Sequence, residues 1–461
     1  MGLLDRQDYI LRLLAWAACS AVVFWGQRKD GQGSGLVMSY VLQLGVLHWF
    51  GASIYALPWF WLADDAMVLG LQQSTYAIAG FAVGSTLLVP LVMRRSAPLP
   101  GAPKAADPLL VHTYLGVGVL IYLVIEPALH GIPTVSAVVS AAGNILLVAI
   151  GMECWNALRQ ESMARPAFWR WIAMSALLPF MSVVTRGFLG YGFSAMLTVF
   201  AFVATFYRPR WKLIGASAIV GFLALSVYVT YMRDRAEIRG VVWGQEGYSA
   251  RFTRLADTFA NFELLDLTNP EHLERIDGRL NQNALLGLSV IFLDQHPDDF
   301  AKGSTLRDAV YGLIPRALWP DKSMVAGSGN LVADFTGLKF AEGTSVGIGH
   351  IMEWYVNFGS LGVAFGMTLI GFVVGWVDRR AAAHMYAGDW RGFTLWWLPG
   401  ISLLQVGGSL FETVSAAGAS LVFAILLQRV RPVRIRWDAA PTPMIPGDRS
   451  YPSGLGTGPR R

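Results

Sequence analysis

Charge is scarce in this 461-residue chain. Asp, Glu, Lys and Arg make up 15% of it, against about 25% in an ordinary soluble domain. That is too little to coat a water-facing surface. The shortage runs along most of the chain, which excludes a soluble enzyme held by one anchor. Cysteine is nearly absent as well: Cys19 and Cys154 are the only two, both in or beside apolar stretches. A disulfide framework and CxxC metal or redox motifs are thereby excluded. No GxxxxGK[ST] phosphate loop, HExxH pair, GxSxG elbow or Cys/His metal cluster occurs, so nucleotide hydrolysis, zinc proteolysis and serine hydrolysis lack support. Met1 to Arg12 run straight into a helical pattern with no cleavage site, and the first span is expected to be retained.

What the chain has in excess is apolar surface: 54% hydrophobic residues and a mean hydropathy of +0.45. A bilayer-crossing helix needs about 20 mostly apolar residues. About eleven stretches qualify, centred on Ala17, Leu44, Val83, Val117, Ala142, Leu178, Leu197, Gly221, Gly366, Ile401 and Val422. The expected fold is an all-α, polytopic membrane bundle. Residues 1–232 form the N-terminal spans, 233–346 one large polar loop between the eighth and ninth spans, and 347–437 the C-terminal spans. A Pro, Gly, Ser-rich tail over 438–461 reads as disordered, as does the linker from Ser96 to Pro108. Within the large loop, Asn283 to Asp294 are apolar but too few to cross. They read either as an interfacial or re-entrant helix, or as a loop helix packed on the bundle.

The net charge of +5 suggests nucleic acid only until its placement is considered. Lys and Arg concentrate in cytoplasmic loops of membrane proteins. Here one set of alternate connections holds Arg28, Lys29, Arg94, Arg95, Lys104, Arg159, Arg165, Arg170, Arg208, Arg210, Lys212, Arg379, Arg380 and Arg391, and the tail follows suit. The opposite connections hold Asp64, Asp65, His130 and Glu412, with Arg186 their lone basic residue. The tail is therefore expected in the cytoplasm and the large loop outside. An odd span count also puts the N-terminus outside, despite Arg6 and Arg12.

The most informative stretch reads Gly303-Ser-Thr-Leu-Arg307, then Ile314-Pro-Arg316-Ala-Leu-Trp319-Pro-Asp-Lys322, then Thr344-Ser345, His350 and Glu353-Trp-Tyr-Val-Asn357-Phe-Gly359. This order, with "SVVTRG" at Ser182 to Gly187, resembles the oligosaccharide repeat-unit polymerases, the Wzy-type O-antigen polymerases. These motifs cover about a quarter of the chain; elsewhere the likeness is one of hydropathy plan. The resemblance implies a glycosyltransferase in a bacterial inner membrane, its large loop periplasmic. The growing glycan would leave polyprenyl diphosphate and join a hydroxyl of a second lipid-linked repeat unit. No metal or cofactor is implied. The implied partners are the lipid-linked oligosaccharide, membrane lipid, a chain-length regulator and a flippase, but no nucleic acid.

Arginine suits a diphosphate because its planar guanidinium binds phosphate oxygens in pairs and keeps its charge. Arg186, Arg316, Glu353 and His350 are the catalytic candidates. Arg307, Lys322, Trp319 and Asn357 are the candidates for substrate binding. Each has a plainer reading. Arg186 serves equally as half of a structural ion pair, with Glu126 or Glu412 its partner. Arg307, Arg316 and Lys322 fit ordinary loop salt bridges, and Trp319 an interfacial anchor. His350, Glu353 and Asn357 share one helical face. There Glu353 is either a general base for the acceptor hydroxyl or an inter-helix partner of an arginine. Asp64 and Asp65 read as exposed loop residues. The Gly-rich segment from Gly327 to Gly349 reads as a flap over the site or a merely flexible loop. An O-antigen ligase and a flippase remain as alternatives. Spans nearly free of charge favour chemistry at one face over transport.

Overall fold

A computed structural model describes residues 6–60, 63–93, 105–129, 133–159, 166–206, 211–314, 319, 328–340 and 346–429. Regular structure among them is entirely helical. The first seven helices are α1 (Arg6–Lys29), α2 (Leu36–Ala56), α3 (Asp65–Val92), α4 (Pro108–Ala128), α5 (Val138–Arg159), α6 (Phe168–Arg186) and α7 (Leu189–Phe206). Then come α8 (Trp211–Trp243), α9 (Tyr248–Ala260), α10 (Pro270–Leu280), α11 (Asn283–Gln295), α12 (Ser304–Gly312) and α13 (Ser328–Thr336). The chain closes with α14 (Gly349–Ala387), α15 (Trp390–Ser402) and α16 (Leu410–Arg429). Helices α1 to α7, α14 and α16 are long and apolar enough to cross a membrane, nine among the described residues. The two remaining sequence centres, Gly221 and Ile401, fall on α8 and on α15, which has only 13 residues. The linker up to residue 104 and the tail from residue 430 lie outside the described residues.

The surface carries its apolar residues outward. Leu91 is 75% exposed, Phe365 73% and Leu361 71%. Large apolar side chains so bare along helices of this length mark surface meant for lipid. The interior is aromatic: Tyr40 stacks on Phe81 at 4.6 Å, and Trp397 is fully buried against Phe202 and Phe393. Local chemistry sets the helix starts. Asp64 is exposed as expected, and its carboxylate caps α3 by accepting from Met67 N at 2.7 Å. Asp107 does the same for α4, where Pro108 supplies the preset φ of a first turn. Wider turns interrupt α2 at Val46–Phe50, α3 at Val83–Leu88 and α4 at Ile121–Ile125, the last directly before Glu126.

Contacts between helix ends sort the bundle into two sides. Arg6 donates to Leu57 O at 2.7 Å, Trp59 Nε1 to Leu267 O at 2.8 Å, and Tyr55 OH to Asp277 at 3.0 Å. The start of α1, the α2–α3 connection and the large polar region therefore share one end. At the other end, the buried Asp378 of α14 accepts from Ser34 N and Leu36 N, and Tyr386 OH donates to Gly31 O. The start of α1 thus lies with the large loop, as an even number of crossings between them requires.

The short apolar run forms a helix that packs on the bundle, a contact that both readings of it allow. Helix α11 lies against α3, and a Cβ on Gly287 or Gly70 would strike the backbone of Ala66 or Asn283. Only glycine permits that approach. Gln282 N donates to Leu47 O at 2.8 Å and Asn283 Nδ2 to His48 O at 2.6 Å, tying the helix to α2.

Candidate functional site

Two helices lose regularity at the end of the bundle that carries the large loop. In α14 the backbone breaks at Phe358 and Gly359, the latter at φ 63°, leaving Gly349 to Asn357 as a short separate piece. Helix α15 stops at Ser402, and residues 403–409 continue as an irregular segment ending at Gly407, Gly408 and Ser409. The irregular segment meets the start of the short piece: His350 N donates to Val406 O at 3.0 Å. Unwound backbone in an apolar setting survives only where protein satisfies it. Here the short piece satisfies one carbonyl of the segment.

The predicted face of the short piece forms. His350, Glu353 and Asn357 are 1%, 1% and 2% exposed. Glu353 Oε2 accepts from Leu410 N at 2.6 Å, while Oε1 is buried without a hydrogen-bond partner. The Thr305 hydroxyl of α12 sits beside this carboxylate and accepts from Asn357 Nδ2 at 2.7 Å. Asn357 Oδ1 accepts from Gly303 N at 2.8 Å, so this amide fastens the start of α12 to α14. His350 is committed on both ring nitrogens, to Tyr40 OH at 2.8 Å and Thr413 Oγ1 at 2.9 Å. It holds α2, α14 and α16 together. Glu353 alone keeps an uncommitted polar atom.

Glu412, one turn into α16, forms a capping box with Ser409. Its carboxylate accepts from Ser409 N at 3.0 Å, and its own N–H donates to Ser409 Oγ at 3.2 Å. It also lies within electrostatic range of both Glu353 and Tyr191, and so links this cluster to a second one.

The second cluster is built on the end of α6. Gly187 takes the left-handed φ of 76° that ends the helix. Ser182 Oγ donates to Phe188 O at 2.7 Å and accepts from Gly192 N at 3.0 Å, fixing the turn. Arg186 Nη2 meets Glu126 Oε1 at 2.7 Å and Oε2 at 2.8 Å. Its guanidinium lies 5.4 Å from the Tyr122 ring and 5.1 Å from the Tyr191 ring. Arg186 Nε is buried with no partner, and the residue lines a small cavity of about 40 Å³ with Tyr122, Asn144, Leu178 and Tyr191.

No family model, curated protein or solved structure matches the chain.

The site therefore rests on its own geometry. Arg307 points away from the buried cluster, 63% exposed and loosely paired with Asp308 at 3.6 Å. Trp319 is 39% exposed, edge-on to Tyr311 at 5.4 Å. Arg316 and Lys322 lie outside the described residues, as do Thr344 and Ser345. Among the described residues no three His, Cys, Asp or Glu side chains converge as metal ligands would. Sequence reasoning missed Tyr40, Thr305 and Thr413. The signal for Tyr40 was present: Ser39, Tyr40 and Gln43 are polar side chains inside an otherwise apolar span, where polar groups are costly unless engaged.

Proposed function

We propose that this chain is a membrane glycosyltransferase polymerising polyprenyl-diphosphate-linked oligosaccharide repeat units into surface polysaccharide. It would sit in the cytoplasmic membrane of a bacterium, crossing it eleven times, with the large polar region in the periplasm and the C-terminus in the cytoplasm. The observation that carries this reading is Glu353: a buried carboxylate with one oxygen held by Leu410 N and the other uncommitted, in a segment where two spans are unwound.

In this reading the acceptor hydroxyl attacks the anomeric carbon of the donor glycan. Its proton passes to Glu353 Oε1. The bond from that carbon to the diphosphate breaks, and the electron pair leaves with polyprenyl diphosphate. Donors aimed at the charge that develops on a leaving group supply much of the rate in such reactions. Arg186 has the right character: Glu126 occupies Nη2, Nε is buried without a partner, and the residue lines the adjacent cavity. His350 and Asn357 then act as positioning residues, since their polar atoms are already engaged within the protein.

The test is single replacement of Arg186, Arg316 and Glu353 by alanine in the native host, with membrane expression checked in parallel. Normally expressed variants that leave single repeat units where wild type makes a ladder support polymerisation. Loss of repeat units from the outer face altogether points to translocation instead. Intact ladders in all three variants overturn the reading.

A further inference from the structure

The large polar region touches α8 lower than its composition suggests. Helix α8 carries no charged residue between Lys212 and Arg233, a stretch of about 20 residues, the length of a crossing. Ile219, Val220 and Leu223 are bared along it, as apolar side chains are on the other lipid-facing helices. Yet the segment joining α9 to α10 reaches into that stretch. Glu263 N donates to Thr230 Oγ1 at 3.0 Å, and Leu265 N to Ser226 Oγ at 3.0 Å. Ser226 stands seven residues before Arg233, about 10 Å back along the helix. Leu223 lies one turn below Ser226 on the same face.

The segment is built for a place with little water. From Phe262 to Asn269 its backbone is irregular, and in open water its N–H groups would need no protein partner. Five of them have one. Besides Glu263 N and Leu265 N, Asp266 N donates to His272 Nδ1 at 3.1 Å, Thr268 N to Asp266 Oδ1 at 2.8 Å and Asn269 N to Asp266 O at 3.2 Å. Leu267 O accepts from Trp59 Nε1 at 2.8 Å. Irregular backbone at membrane depth requires this kind of internal satisfaction. The charges are engaged as well: Glu263 pairs with Arg233 at 2.8 Å and Arg275 at 2.9 Å, and Asp266 accepts from the Thr268 hydroxyl at 2.7 Å.

What the segment turns outward is apolar. Leu265 is 5% exposed, whereas Leu264 beside it is 57% exposed, and Phe262 and Leu267 are exposed with it. Trp59 adds an exposed indole whose N–H is held by Leu267 O, an apolar body with a polar tip that suits a membrane–water boundary. Lipid-facing surface continues beneath. Leu223 is exposed on α8, and Leu11 and Leu14 are exposed on α1, whose start is tied to Leu57 in the same α2–α3 connection as Trp59. We propose that Phe262 to Leu267, together with Trp59, form a membrane-contact surface seated at the headgroup–acyl boundary of the leaflet on the large-loop side. The partner is bilayer lipid. The large polar region is thereby moored to the membrane by its own loop, whatever reaction the chain performs.

The experiment uses the full, unsubstituted chain in phosphatidylcholine vesicles that contain some phosphatidylcholine with a diazirine on its acyl chain. Illumination releases dinitrogen, the carbene inserts into neighbouring side chains, and mass spectrometry of peptides locates the adducts. Leu361 and Phe365, bare on the crossing helix α14, serve as the lipid-facing standard, and the exposed Glu271 and Glu274 of α10 as the water-facing one. Adducts on Phe262 to Leu267 and on Trp59, at yields comparable with α14 and with α10 unlabelled, support the contact. Replacing Leu264 and Leu267 together by serine should then remove most adducts from the segment while those on α14 persist. Labelled α14 beside an unlabelled segment overturns the proposal, whether water or a second copy of the chain covers the surface. So does undiminished labelling in the double variant. No sugar is transferred in this assay, so its result is independent of the Arg186 and Glu353 ladder test.

Discussion

Replacing Glu126 by alanine tests how the Arg186 cluster is held. The two side chains retain only 18% and 10% of their exposure. Removing one member of a buried pair strands the other charge, which costs about 3–5 kcal/mol. The Tyr122 and Tyr191 rings remain over the guanidinium and offset about 1 kcal/mol of that. Glu126→Ala should therefore cost about 3 kcal/mol, and Arg186→Ala a similar amount through its orphaned carboxylate. The double variant leaves no stranded charge, so its cost should fall short of the sum by about 2 kcal/mol, within the range of contacting pairs. Reversible unfolding of purified protein in mixed micelles gives all three values. A Glu126→Ala cost under about 1 kcal/mol with no coupling, the behaviour of an exposed pair, would refute the argument.

Three further outcomes follow from the packing. Gly287→Ala and Gly70→Ala each drive a Cβ into neighbouring backbone and should cost about 1–3 kcal/mol, visible as a lower thermal midpoint; unchanged midpoints would mean that α11 does not sit on α3. Ser409→Ala removes the hydroxyl half of the capping box and should cost about 1 kcal/mol, whereas Ser409→Asp should restore most of it in the same assay. Hydrogen bonds from Arg233 hold the Glu263 carboxyl below its usual range. A depressed folded pKa means that this stabilisation is complete above the unfolded value of about 4.3 and is lost as pH falls through the folded one. Protection of the outer region from proteolysis should thus separate wild type from Glu263→Gln at neutral pH and converge in acid. A gap that persists in acid contradicts the pairing.

The bundle was legible because crossing a bilayer leaves a coarse mark, a run of about 20 apolar residues. Nine centres fall on helices of that kind. The run around Ile401 hid its structure. Hydropathy reads Trp396 to Val406 as one apolar stretch, yet the helix ends at Ser402, because the contacts that permit irregular backbone there come from His350, far away in sequence. The face of His350, Glu353 and Asn357 was readable from spacing alone; the engagement of both His350 nitrogens was not, since Tyr40 and Thr413 come from other helices. Glu126 and Glu412 were both readable as partners of Arg186, and the structure selects Glu126.

The short helix α15 has a consequence for how the chain is made. At 1.5 Å per residue its 13 residues reach about 20 Å, short of the roughly 30 Å hydrocarbon core. Entering lipid by itself, the segment that follows would carry bare peptide groups into oil. Its partners are already in the chain ahead of it, in the stretch that opens α14, while the far end of the segment is capped by α16. Synthesis delivers α14 before the irregular segment, so the segment's partner is in place ahead of it. The surroundings of Glu353 are complete only once Leu410, the first residue of α16, has followed.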